Sequence, residues 1–175
     1  WITQSEFRSI NPEKSFKKAR STTFDEQAKK YGFQIFNEED KLKDPEVISR
    51  FKNLDLDLIV EMGSSMWVPQ EILESARYGC IGSHGAKLPY IRGGASMNWA
   101  LITGETEWAV SLFYLTPVTD KGITITTSSF NIEPRDNINT VTYKSDLATM
   151  KMLGDFFKNF RSQEEFQKEN LEEIH

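Results

Sequence analysis

A chain of 175 residues, 38% hydrophobic and 27% charged, is the size of one domain and long enough to bury one core. Its net charge of −5 excludes a general affinity for nucleic-acid phosphates, which needs a basic face. One cysteine, Cys80, excludes an internal disulfide, and with only two histidines it makes no N/S metal site; no apolar run nears the roughly 20 residues of a membrane helix.

Trp1-Ile-Thr-Gln4 reads as the end of a strand without its beginning. Residues 5–21 carry Arg8, Lys14, Lys17, Lys18 and Arg20 without an apolar period, the pattern of a solvated loop or of a basic lip for a phosphorylated substrate. Thr22 or Thr23 is placed to cap a helix over 24–31, with acids in its first turn, bases in its last and Gly32 as terminator. Phe33-Gln-Ile-Phe36 alternates like a short strand. Pro45 predicts a helix over 46–53 with Val47, Ile48 and Phe51 inward, and Leu56-Asp-Leu-Ile-Val60 is suited to a central parallel strand.

Gly63 to Pro69 forms a loop, and Ile72, Leu73 and Ala76 make the face of a helix over 69–77. A strand over 79–83 gives way to a Gly- and Pro-rich loop, followed by a helix that Gly104 stops and whose Ala95, Met97, Asn98, Trp99, Leu101 and Ile102 form one buried face. Strands follow at 108–115 and at 123–132, the second with one wet face and antiparallel to the rest. Leu147, Met150, Leu153, Phe156, Phe157 and Phe160 recur at three and four, so a long helix packs this stripe on the sheet. Ser162-Gln-Glu-Glu165 is a capping box for a final acidic helix with Phe166, Leu171 and Ile174. The chain thus divides into an α/β domain over 1–160 and an acidic C-terminal helix over 161–175.

The centre of this pattern is residues 79–104. One of the two histidines, His84, sits where the apolar run of Cys80 and Ile81 meets the loop, and a strand, a loop with a titratable group and a helix make the βα step of an α/β fold, whose ligands bind beyond the carboxyl ends of the strands. Written as His84-Gly-Ala-Lys-Leu-Pro-Tyr-Ile-Arg-Gly93, the loop resembles the His-x-Ser-Leu-Leu-Pro-x-x-Arg-Gly signature of the folate-dependent formyltransferases, which act on methionyl-tRNA, glycinamide ribonucleotide or amino sugars. Ala109-Val-Ser-Leu-Phe-Tyr-Leu-Thr-Pro-Val-Thr-Asp120-Lys-Gly122 is similar to that family's next strand and its closing Asp-x-Gly.

The resemblance implies a Rossmann-like α/β fold, a mostly parallel sheet flanked by helices, with a first βα unit lying upstream of Trp1. It implies 10-formyltetrahydrofolate as co-substrate, with no metal. Of the family's three functional residues, an Asn, a His two positions on and an Asp, His84 matches the second and Asp120 the third; Gly82 stands where the Asn is expected. In formyl transfer to an amine, a histidine moves the proton of the attacking nitrogen, an aspartate holds that histidine, and the Asn amide donates to the oxygen anion. Stand-ins for the missing amide are the backbone N–H of Gly82 or Ser83, the Ser83 hydroxyl, or Asn98. The resemblance further places Ser64, Ser65, Met66 and Trp67 along the pterin ring, with Leu88 and Pro89 at the same site, and gives Arg92 a loop-shaping role.

The run Arg92-Gly-Gly-Ala-Ser-Met-Asn-Trp99 is most similar to the amino-sugar enzymes, so the expected acceptor is a nucleotide-linked amino sugar. A methionyl-tRNA formyltransferase-like enzyme, or a non-catalytic domain binding folate or nucleotide sugar, is the alternative. The expected setting is cytoplasmic, with a small-molecule substrate, no membrane or nucleic-acid partner, and homodimer formation left open.

Overall fold

In a computed structural model of the chain, residues 24–36, 42–63 and 67–160 are described. They form helices α1 (Asp25–Tyr31) and α2 (Pro45–Asn53), strand β1 (Ile59–Glu61), helix α3 (Gln70–Leu73), strand β2 (Cys80–His84), helix α4 (Ser96–Thr103), strands β3 (Glu107–Tyr114) and β4 (Thr124–Asn131), and helix α5 (Ile138–Lys158). The strand expected at 33–36 is reduced to a single bridge at Phe36, and the helix expected over 69–77 is regular only from Gln70 to Leu73. The basic segment 5–21, the caps Thr22 and Thr23, and the acidic helix beyond residue 160 lie outside the described residues.

Local chemistry sets the element boundaries. The Asp44 side chain accepts from the Glu46 N–H, with Pro45 in the first turn where a missing N–H costs nothing. Gly32 and Gly104 end α1 and α4 in the left-handed conformation. Asn137 starts α5 by accepting from Asn139 and Thr140, while Thr140 Oγ1 accepts from the Asn137 N–H.

The four strands lie in the order β1-β2-β3-β4. β1 and β2 are parallel, with Ile59 opposite Cys80 and Glu61 opposite Gly82. β3 runs antiparallel to β2, and β4 antiparallel to β3. The described sheet is therefore mixed, and the return of β3 matters for the site below.

Each face of the sheet has its own cover. Ile81, Val110, Leu112 and Tyr114 pack with Met152 and Phe156 of α5 on one side. On the other, Ile59 packs with Val47 and Phe51 of α2 and Ile72 of α3. A third cluster joins Ala100 of α4 to Val141 of α5 and Ile132. Two expected stripes are corrected here. On α5 Phe156 of the expected stripe is buried and Leu153 packs against the same cluster, but the other inward residues are Val141, Ser145, Thr149 and Met152, whereas Leu147, Met150 and Phe157 are exposed, because residues a few positions apart in a helix apolar on two sides satisfy the same period. On α4 only Ser96 and Ala100 are buried, and Asn98, Trp99 and Ile102 face outward.

Burial separates these assignments energetically. Phe156, 5% exposed, should cost about 3–5 kcal/mol on truncation to Ala. Met150, 67% exposed, should stay within about 0.5 kcal/mol. Urea unfolding of the two variants measures both, and the reverse ranking would return Met150 to the core.

Candidate active site

β2 alternates its side chains, so Cys80, Gly82 and His84 share one face and Ile81 and Ser83 the other. The register adds Phe113, opposite Gly82, and Ser111, opposite His84, to the histidine face. His84 is the last residue of β2 and its ring is nearly enclosed. Its Nε2 lies 3.1 Å from the carbonyl oxygen of Ile91, and its Nδ1 lies 3.7 Å from Asp120 Oδ1, the two side chains being 10% and 12% exposed. The Ile91 carbonyl can only accept, so it faces a proton on Nε2, while Asp120 stands at ion-pair range from Nδ1.

Asp120 is itself clamped. Its Oδ2 accepts from the Gly93 N–H at 2.9 Å, and its backbone carbonyl accepts from Arg92 Nε at 2.9 Å. Its backbone sits in the left-handed region, φ 52°, which Asp tolerates better than most residues. The route to His84 differs from a pair of successive strand ends. Because β3 returns antiparallel, its end lies beside the start of β2, where the Leu115 N–H donates to Cys80, and the 115–123 loop folds back to carry Asp120 to the histidine.

Three polar side chains hold the signature loop against the sheet. Ser96 Oγ and Trp108 Nε1 both donate to the Gly85 carbonyl at 2.7 Å. Ser111, fully buried, accepts from the Leu88 N–H and donates to the Ala86 carbonyl, with Thr127 Oγ1 at 3.0 Å. None of these was marked as functional by sequence. The one available signal was Ser111 itself, a hydroxyl inside the apolar run Val110 to Tyr114.

The other candidate residues are scattered more widely. Leu88 is buried under the loop, and Pro89 is exposed after a cis Leu88–Pro89 bond. Asn98 is exposed on α4 and shares no hydrogen bond with His84 or Asp120. Trp67, 52% exposed, lines a concavity of about 370 Å³ with Lys43, Ile48, Pro69 and Glu71 rather than meeting the histidine. Ser64, Ser65 and Met66 fall outside the described residues. A larger concavity, about 500 Å³, is lined by Pro45, Glu46, Ser49, Arg50, Asn53 and Leu54, all from α2 and its end; lacking polar groups converging from a second element, it is a poor site.

Gly82 adopts no left-handed conformation, so its backbone is open to any residue. The space above it is not. A Cβ there would lie 2.6 Å from Leu115 Cδ1 and 3.1 Å from Glu61 Oε2. No described group of three or more His, Cys, Asp or Glu is arranged to hold a metal ion, and no described helix is long and apolar enough to cross a membrane.

A mixed sheet with a clamped His–Asp pair at the carboxyl end of a parallel strand defines an α/β domain with a polar site at its sheet edge. The formyl transferase family matches residues 8–155, and the chain belongs to that family. A curated relative, methionyl-tRNA formyltransferase of Bacillus subtilis, is 31% identical over 134 residues, which cover 77% of this chain and 42% of the relative. The chain therefore spans less than half the length of that relative. Among solved structures, phosphoribosylglycinamide formyltransferase of Streptococcus pneumoniae superposes with a TM-score of 0.65 at 18% identity, covering 77% of this chain and 78% of that one. A sugar N-formyltransferase of Shewanella superposes with a TM-score of 0.61 at 17% identity, covering 78% of this chain and 54% of that one. The fold expected from the signature loop is thereby shown.

Cys80, on the same face, is not a free nucleophile. Burial first, and the charge of Glu61 second, push its thiol from 9.0 up to about 12. Between those values the unfolded chain loses a proton that the folded one keeps, so stability falls as pH rises above 9, by about 1.4 kcal/mol per unit. Urea unfolding between pH 8 and pH 10.5 should show this slope in the native chain and a shallower one in Cys80→Ala; equal slopes would mean the thiol is open to solvent.

Proposed function

We propose that this chain carries the catalytic centre of an enzyme that transfers a formyl group from 10-formyltetrahydrofolate to the amine of a nucleotide-linked amino sugar. The observation that carries the reading is the His84–Asp120 pair, 3.7 Å apart, with Asp120 fixed by Gly93 and Arg92. A carboxylate beside an imidazole fixes its orientation, which suits a ring that must meet the reacting formyl group in one geometry. His84, at the end of β2, is positioned where ligands of such sheets bind.

The amino-sugar acceptor is supported by the run Arg92 to Trp99, by the net charge of −5, and by the likeness to the Shewanella structure. Methionyl-tRNA is the second reading, favoured by the name of the Bacillus subtilis relative. A folate- or nucleotide-sugar-binding role without transfer is the reading that Gly82 favours, since loss of one oxyanion donor costs roughly 10²–10³ in turnover.

The test mixes the protein with 10-formyltetrahydrofolate and either a panel of nucleotide-linked amino sugars or methionyl-tRNA, and follows release of tetrahydrofolate. Turnover on a sugar, reduced about 10²–10⁴-fold in His84→Ala, is the expected result. Turnover on methionyl-tRNA alone would replace the acceptor. Folate binding with no turnover on any amine would leave a binding domain.

A further inference from the structure

Gly82 and Glu61 face each other across the parallel β1–β2 pair, so their side-chain positions share the face that carries His84. Glu61 ends β1 as His84 ends β2, both at the carboxyl edge where ligands bind. Its side chain leans over the glycine: Glu61 Oε2 lies 3.1 Å from where a Gly82 Cβ would be, and Leu115 Cδ1 fills the rest at 2.6 Å. Two residues of strand span roughly 6.6 Å, which sets positions 82 and 84 about that far apart on one face. The negative charge of Glu61 is felt on this face, since it contributes to the raised pKa of Cys80. Glu61 is half-buried, open enough to meet a ligand and enclosed enough for its charge to count.

The geometry points to Glu61 as a catalytic residue of this chain, a carboxylate standing where the resembled enzymes hold an amide and taking the proton of the acceptor amine. This rests on the formyl-transfer reading above. A carboxylate cannot replace an amide as donor to an oxygen anion, so its presence reassigns the roles. As the acceptor nitrogen forms its bond to the formyl carbon, the carbonyl pair moves onto oxygen, which takes the Nε2–H of His84 in exchange for the Ile91 carbonyl. The proton leaving the acceptor nitrogen goes to a Glu61 oxygen. When the carbonyl re-forms and the bond to the folate nitrogen breaks, that nitrogen takes the proton back from Glu61. One proton is carried from acceptor to leaving group, and no further reactant is needed.

The experiment is steady-state kinetics on the native protein, Glu61→Gln and Glu61→Asp, with 10-formyltetrahydrofolate and whichever amine the native protein uses, alongside folate binding and thermal melts. Gln keeps the shape and loses the base. It should lower kcat/KM for the amine about 10²–10⁴-fold while folate affinity stays within twofold. Asp keeps a carboxylate of shorter reach and should exceed Gln at least tenfold. Gln at a third or more of native activity overturns the proposal, leaving Glu61 as filler, and so does Gln above native, which would mean that an amide donor is what the site lacks. If both variants melt as the native protein does and Asp is no better than Gln, the proposal also falls. If Gln melts early, the comparison of Asp with native decides: Asp within tenfold upholds it, and Asp lower than that while folded overturns it. A native protein inactive on every amine sinks the formyl-transfer reading and this proposal together; a native protein that turns over while Gln is indifferent sinks this proposal alone.

Discussion

The site depends on one residue that joins two loops. Asp120 arrives from the 115–123 connection, yet its carboxylate accepts from Gly93 in the loop after β2, and its carbonyl accepts from Arg92. A hydrogen bond to a charged group contributes roughly 1.5–3 kcal/mol, and holding a non-glycine residue in the left-handed region costs about 1–3 kcal/mol. The two bonds are thus of the size needed to hold Asp120 in that conformation. What they secure is an orientation: the same carboxylate presents its other oxygen to His84 Nδ1, while Ile91, in the loop that Asp120 anchors, presents its carbonyl to Nε2.

The antiparallel turn of β3 makes this arrangement possible. Were β3 parallel to β2, the residues after it would emerge beside His84 directly, with no return loop. Instead β3 ends at the start of β2 and the chain must come back across the sheet; a Cβ at Gly122 would overlap the Tyr114 carbonyl, so only glycine lets the returning backbone pass. The same reversal sets Ser111 opposite His84, where its hydroxyl pins the Ala86 and Leu88 backbone. The sheet therefore holds the loop from beneath, and the loop in turn holds Asp120.

The parts of the fold legible in sequence were those with local causes. Pro45, Gly32 and Gly104 mark helix ends through their own backbone chemistry, and β2, β3 and β4 appear within about a residue of the strands their patterns predict. The signature loop and Asp120-x-Gly122 picked out His84 and Asp120, which the fold brings together, although the spacing contained nothing of the path between them. What failed had causes distant in the chain. The inward face of α5 is chosen by which residues meet Ile81 and Leu112, and a helix with Leu147 and Met150 on one side and Met152 and Phe156 on the other fits the period either way. The return of β3 is a pairing choice invisible in the composition of one strand. Glu61 went unmarked because its importance lies in the register that sets it opposite Gly82.

That register also changes how the glycine is read. A glycine where the resemblance leads one to expect an Asn suggests simple loss, a hole at the centre of the site. Here the position needs no unusual backbone angle, and no hole exists: Leu115 and Glu61 already occupy the volume. Restoring a side chain at 82 alone would displace a methyl group and crowd a carboxylate, so positions 61, 82 and 115 are coupled through packing and cannot be judged singly. Decay of a site explains the lost amide, but it does not explain a half-buried carboxylate on the same face at the carboxyl end of the neighbouring strand, where solvation alone would favour a small neutral residue. A charge kept in such a place is held by the groups packed around it, and the role proposed for Glu61 gives that charge a use in the reaction.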